Sequence, residues 1–177
     1  WLTIPVNKKN RIKNSIQDTK VANKYWIKKH LKSIEYSYKR SQYYESTIDF
    51  VKELYSELNS EYLSVINTIS LKKICKKLKI NTKILKSSEL VYEGDRNERL
   101  ISICKQLGAT TYFSSPKAKN YIQPKIFNDN GIDIEYISYE NYKPYKQLWG
   151  EFIHKVSILD MLFNCGKNTN NYMQIGY

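Results

Sequence analysis

Two serine pairs, an arginine and a histidine set among lysines are the residues whose types and spacing could do chemistry. Ser87-Ser88, Ser114-Ser115 and Ser138 each follow a short run that reads as a β-strand. In open α/β sheets ligands sit beyond the carboxyl ends of the strands. Hydroxyls there, with the free N–H groups of the next helix, can hold an anion. Ser115-Pro116, followed by Lys117 and Lys119, therefore reads as a phosphate or carboxylate cradle. The competing explanation is that serines simply cap helices and end strands. Gly94-Asp95-Arg96-Asn97-Glu98-Arg99 opens a helix at the same sheet edge, where Arg99 could clamp a phosphate with two parallel bonds. Alternatively Asp95 caps that helix and Arg99 pairs with Asp95 or Glu98.

His30, in Lys28-Lys29-His30, is the candidate general base, with Asp160 as its partner or orienter. A histidine on a helix surface with no role is the alternative. His154 follows Glu151 by three residues and would share its face if that stretch is helical, but one His and one Glu are too few for a metal site. Cys104 sits on an apolar stripe and reads as core. Cys165, in Asn164-Cys165-Gly166, reads as exposed near a helix end and lacks a neighbouring base. No Walker loop, GxGxxG, GxSxG or HExxH is present, so NTPase, dinucleotide, serine-hydrolase and zincin readings lack support, and the sequence leaves the cofactor unknown. Tyr36, Tyr38, Tyr43 and Tyr44 cluster around the end of the first helix, where they could stack a base or sugar, or pack between helices.

These residues need elements to position them. Trp1–Val6 reads as a strand with Pro5 near its end, and Lys8–Asn14 as a polar loop. Ile27, Leu31, Ile34 and Tyr38 recur at helical spacing opposite Lys24, Lys28, Lys32 and Lys39. Ile48, Val51, Leu54, Tyr55 and Leu58 predict a second helix, and Leu63, Ile66, Ile69, Ile74 and Leu78 a third with Asn81 as its stop. Lys72, Lys73, Lys76, Lys77 and Lys79 fall in the last turns, where cations suit the helix dipole.

The rhythm then changes. Thr82–Lys86 reads as a strand, Asn97–Leu107 as a helix closed by Gly108, and Thr110–Phe113 as a second strand. Pro116 opens a short helix, and Ile132–Ile137, after Asn130-Gly131, alternates as a third strand. Ser157–Phe163 adds a final helix. The fold class expected is α/β: a small parallel sheet with βαβ crossovers plus a helical, lysine-rich insertion in the N-terminal half. A single domain over 1–177 is expected, helical and basic over 1–80 and βαβαβ-like over 81–177.

The net charge of +12 lies wholly in residues 1–86, where 19 Lys/Arg face 7 Asp/Glu; residues 87–177 carry ten of each. Only four of the basic residues are Arg, whereas base-edge and phosphate recognition favours Arg for its planar fork. Lys, Asn, Ile and Tyr, all with A- and T-rich codons, supply 25, 16, 21 and 16 residues, so coding bias accounts for much of the excess. Nucleic acid is therefore the less favoured partner. No apolar run approaches the ~20 residues of a membrane span. The odd, widely spaced Cys75, Cys104 and Cys165 suit a reducing cytoplasm rather than a disulfide framework. A chain of 177 residues opening on Trp1 reads as a fragment whose start is missing.

One further pattern spans nearly the whole chain. Trp1-Leu2-Thr3-Ile4-Pro5-Val6, Trp26 with Lys29-His30, Tyr43-Tyr44 and Ser87-Ser88-Glu89-Leu90 come first. Glu98-Arg99-Leu100 through Ile103-Cys104, Leu107-Gly108-Ala109 and Thr111-Tyr112-Phe113-Ser114 follow. Gly131-Ile132, Phe152, Ser157-Ile158-Leu159-Asp160 and Leu162-Phe163-Asn164-Cys165-Gly166 close the series. This ordered set resembles the WbqC-like protein family, associated with bacterial surface-polysaccharide (O-antigen) gene clusters. The resemblance implies a preceding Gln/Pro/Tyr-rich start, absent here, that would carry part of the site. It also places Ser114-Ser115 where many members have Ser-Gly, which removes a flexible backbone position from the cradle. A pathway is implied more firmly than a reaction. The leading expectation is a protein that binds or modifies a nucleotide-linked (amino) sugar, or another phosphate-bearing small molecule, by group transfer. A basic nucleic-acid-binding module and a non-catalytic scaffold of a glycan-assembly complex are the alternatives.

Overall fold

The computed structural model describes residues 1–7, 15–138 and 142–173. The loop expected over 8–14 lies outside them. In chain order the elements are α1 (Tyr25–Tyr38), α2 (Tyr44–Glu57), α3 (Leu63–Lys77), α4 (Arg96–Gln106), β1 (Thr111–Ser114), α5 (Pro124–Asp129), β2 (Asp133–Tyr136) and α6 (Ile158–Cys165). Short 3-10 turns occupy Ser87–Glu89, Pro116–Asn120 and Gly166–Tyr172. The architecture is mixed α/β, in two compact units: Trp1–Thr82 with Tyr142–Tyr177, and Lys83–Asn141. No described helix is long and apolar enough to cross a membrane.

The first unit is built on α1, α2, α3 and α6. In α1 the buried positions are Trp26, His30 and Ile34, flanked by half-buried Ile27, Leu31 and Tyr38. The inward face is thus wider than the expected stripe and includes the histidine. α2 buries Ile48, Val51, Leu54 and Tyr55 as its spacing predicts. α6 is apolar around most of its circumference and packs on α2. The Tyr43 N–H donates to the Phe163 carbonyl at 3.1 Å and the Thr47 hydroxyl to that of Leu162 at 3.2 Å. Lys73 of α3 pairs with Glu53, at 2.7 Å, and with Glu57. The expected first strand is reduced to one antiparallel bridge, Val6 opposite Val21. Pro5 has no N–H to extend a ladder and contributes only its carbonyl, which accepts from Ala22 at 2.8 Å.

In the second unit the expected three-stranded sheet has two strands among the described residues. β1 and β2 pair in parallel, Thr111 opposite Asp133 and Ser114 opposite Tyr136, with the Pro116–Asn120 turn and α5 between them. Thr82–Lys86 is not a strand: a short run of suitable residues makes no strand without a ladder partner, and among the described residues it has none. α4 packs on α5 over a core of Ile101, Cys104, Ala118, Ile122, Phe127 and Ile132.

Asp95 starts α4 with a reciprocal cap. Its side chain accepts from the N–H groups of Asn97 at 2.7 Å and Glu98 at 3.0 Å, and Glu98 Oε2 accepts from the Asp95 N–H at 2.8 Å. Asp95→Ala is expected to cost about 1 kcal/mol of stability, read from the urea midpoint. A midpoint equal to wild type would show that the cap contributes nothing.

Candidate functional site

In the second unit, β1 ends on the half-buried Ser114, and Ser115 continues extended into the Pro116–Asn120 turn. The Ser115 hydroxyl makes no cap bond; its carbonyl accepts from Ala118 N–H at 2.9 Å. Lys117 is exposed on that turn, and the Lys119 ammonium stands 4.9 Å from the centre of the Tyr136 ring. Ser87 and Ser88 do not leave a strand: they open a 3-10 turn, both exposed, with Lys86 reaching Glu89 at 3.8 Å. Arg99 lies on the exposed side of α4 with its guanidinium 5.1 Å from the centre of the Tyr92 ring. Of the alternative reading, the Asp95 cap forms, but Arg99 has no ion pair with Asp95 or Glu98, whose carboxylates are both engaged in that cap. Stacking on an aromatic face leaves the in-plane N–H donors of an arginine open to an anion.

The first unit holds His30 and Asp160, and each is buried in a separate polar network. His30 Nε2 lies 3.0 Å from the Thr3 carbonyl, which can only accept, so this nitrogen carries the proton. In the neutral ring Nδ1 then accepts from the Tyr55 hydroxyl at 3.2 Å. Burial pushes the Tyr55 hydroxyl up to about 12, which keeps it a donor. The Trp26 ring meets the imidazole edge-on at 5.1 Å.

Asp160 sits in the first turn of α6, where the helix dipole favours a carboxylate. Its Oδ1 accepts from the Tyr38 hydroxyl at 3.0 Å, and its Oδ2 from the Tyr145 hydroxyl at 2.7 Å and the Gln147 amide at 3.0 Å. Burial, then the Asp160 charge and hydrogen bond, hold the Tyr38 hydroxyl well above its ordinary range. Tyr145 is raised likewise, by burial first and then by its bond to Asp160. Burial and the same carboxylate push the Cys165 thiol up to about 11. Cys165 is therefore an inert core thiol, not the exposed one its place near a helix end suggests.

Two neighbouring clefts open beside these networks. One, of about 470 Å³, is lined by His30, Trp26, Lys29 and Thr3 among others. The second, of about 790 Å³, shares Trp1, Leu2 and Ser33 with it and adds Ser37, Tyr38, Lys155 and Ser157. Tyr38 thus carries the buried carboxylate's influence to a cleft wall.

The profile of the WbqC-like protein family matches residues 1–172. This chain belongs to that family. A relative from Mycobacterium tuberculosis (strain ATCC 25618 / H37Rv), "Uncharacterized protein Rv1507c", is 34% identical over 174 residues, covering 98% of this chain and 75% of that protein. No solved structure matches.

The WbqC-like match takes in both sets of candidate residues. Within this WbqC-like chain, Ser87, Ser88, Arg99, Ser114, Ser115 and Lys117 all fall in Lys83–Asn141, and His30 and Asp160 in the other unit. His30 and Asp160 are not partners: the bonds of one run to Tyr55 and Thr3, those of the other to Tyr38, Tyr145 and Gln147. Glu151 and His154 lie outside any helix, so no shared helical face arises, and His154 packs edge-on against Phe152 at 4.6 Å. Sequence reasoning missed Tyr145 and Gln147, which occupy an irregular segment without periodicity. Tyr38 was visible as one member of an apolar stripe and of the tyrosine cluster at the end of the first helix, but not as a partner of Asp160.

Proposed function

We propose that this WbqC-like protein acts in cytoplasmic steps of surface-polysaccharide (O-antigen) biosynthesis. It binds a nucleotide-linked (amino) sugar and modifies it by group transfer. Family membership supports the pathway. The observation that carries the ligand class is Arg99: an exposed guanidinium stacked on Tyr92, with the acids beside it committed to a helix cap, in the same unit as Ser87, Ser88, Ser114, Ser115 and Lys117. A diphosphate is the group such a set recognises.

In this reading His30 is the general base, and its Nδ1 lone pair becomes available when the Tyr55 hydroxyl turns to another acceptor. Asp160 works by orienting Tyr38 at the cleft wall rather than by touching His30.

The test is titration calorimetry with nucleotide sugars. Arg99→Ala is expected to weaken binding at least tenfold, about 1.4 kcal/mol. Heats and affinity unchanged by the substitution would remove Arg99 from the site and the diphosphate reading with it.

A further inference from the structure

Three helices of this protein end with the same pair of backbone hydrogen bonds. At α4 they are Gly108 N–H to Lys105 at 3.1 Å and Ala109 N–H to Cys104 at 2.8 Å. At α5 they are Gly131 N–H to Asn128 at 2.9 Å and Ile132 N–H to Phe127 at 3.0 Å. At α3 they are Lys79 N–H to Lys76 at 3.1 Å and Ile80 N–H to Cys75 at 2.9 Å. This closure requires a left-handed residue just past the helix, ordinarily glycine. Gly108 and Gly131 take it with φ of 65° and 72°; at α3 the seat is held by Lys79 with φ of 57°. Among the described residues Lys79 is the only non-glycine with positive φ. A Cβ there crowds the following carbonyl, so the fold would be better served by glycine. It is Lys79, not the expected Asn81, that stops the helix.

Helix-dipole compensation explains lysines in a last turn, but Lys76 and Lys77 already supply it. The strained lysine instead lines a cleft of about 440 Å³ with Lys77, Lys167, Ser46, Tyr43 and Asn170. No aspartate or glutamate lines it, and none of Lys77, Lys79 and Lys167 has an ion-pair partner among the described residues, whereas Lys73, one turn back on α3, has two. Three of the carbonyls at this helix end, which would repel an anion, are occupied: those of Cys75 and Lys76 by the closure, and that of Leu78 by the Asn170 amide at 3.1 Å. Lys77 also stands 5.1 Å from the centre of the Phe50 ring and within the field of Glu53. Lys79 and Lys167, with no ion-pair or aromatic partner among the described residues and no acid in the cleft wall, make an anion site.

The geometry points to this cleft as a second binding site, for a phosphate-bearing small ligand of diphosphate size, with Lys79 kept in a strained conformation for that ligand. The site lies in the unit that does not contain Arg99 and stands independently of the diphosphate reading given to that residue.

The test titrates inorganic pyrophosphate at low ionic strength into an Arg99→Ala parent, so that the other anion site does not contribute. Adding Lys79→Gly is expected to lower the affinity at least tenfold while the melting temperature holds or rises. Lys167→Ala, which changes no strained position, is expected to lower it to a similar degree with the melting temperature unchanged. Absence of binding by the parent overturns the proposal, as do affinities that neither substitution alters. A melting temperature that falls with Lys79→Gly overturns the claim that a ligand, and not the fold, retains the lysine.

Discussion

Asp160→Ala is expected to lower the stability of the unit built on α1, α2, α3 and α6 by about 3–5 kcal/mol, among the largest effects of any single substitution. The carboxylate is 8% exposed and receives three donors, the hydroxyls of Tyr38 and Tyr145 and the amide of Gln147. Alanine removes the acceptor and leaves those donors beside a void, each costing about 1–3 kcal/mol in desolvation it can no longer recover. Asp160→Asn is a sharper probe. Its amide oxygen can take the Oδ2 position, where Tyr145 and Gln147 converge, and its NH2 can face the Tyr38 hydroxyl, which accepts as readily as it donates. The asparagine variant should therefore lose only about 1 kcal/mol. Urea denaturation followed by near-ultraviolet dichroism would decide. Equal midpoints for wild type and Asp160→Ala would mean that the network is ornamental to stability.

Alkaline pH should dismantle the same unit. Tyr38, Tyr55 and Tyr145 all have hydroxyls raised above the ordinary tyrosine value, chiefly by burial. Above about pH 10 the unfolded chain releases these protons while the folded chain retains them. The unfolded state then binds fewer protons, so stability falls as pH rises; it is fully present below the unfolded values. By about pH 11 each tyrosine has withdrawn roughly 1.4 kcal/mol, about 4 kcal/mol for the three. Cys165, raised to about 11, starts the decline a unit earlier, because its ordinary value is 9.0. Losses of this size approach the whole stability of a small domain. Denaturant midpoints compared at about pH 8 and about pH 11 should show a steep drop. A flat profile across that interval would place these hydroxyls in water rather than in the core.

The helices were legible because each carries its apolar residues at a regular spacing. Val51, Leu54 and Tyr55 are buried in α2 as that spacing requires. His30 was misplaced for an instructive reason: its neighbours Lys28 and Lys29 mark a wet surface, but Trp26 and Ile34, four residues to either side, mark the face it shares. The signal was periodic, and charge next door masked it. Thr82–Lys86 and Ser87-Ser88 failed differently. A strand exists only through its partner, and five residues do not say whether one is present. Ser114-Ser115 leave β1 as expected, because Thr111–Ser114 has β2 to pair with. The partners of Asp160 were beyond reach: Tyr145 and Gln147 come from a stretch of no regular structure, where only tertiary packing decides which side chains turn inward.

The unit that holds Asp160 is assembled from both ends of the sequence, with Lys83–Asn141 as an uninterrupted stretch between them. On a ribosome that middle stretch emerges whole. α2, by contrast, waits for α6: the Tyr43 amide and the Thr47 hydroxyl find their acceptors only once Phe163 and Leu162 have been synthesised. Until then the nascent helices present an uncovered oily face, and α1–α3 stay open to wrong partners until α6 is made.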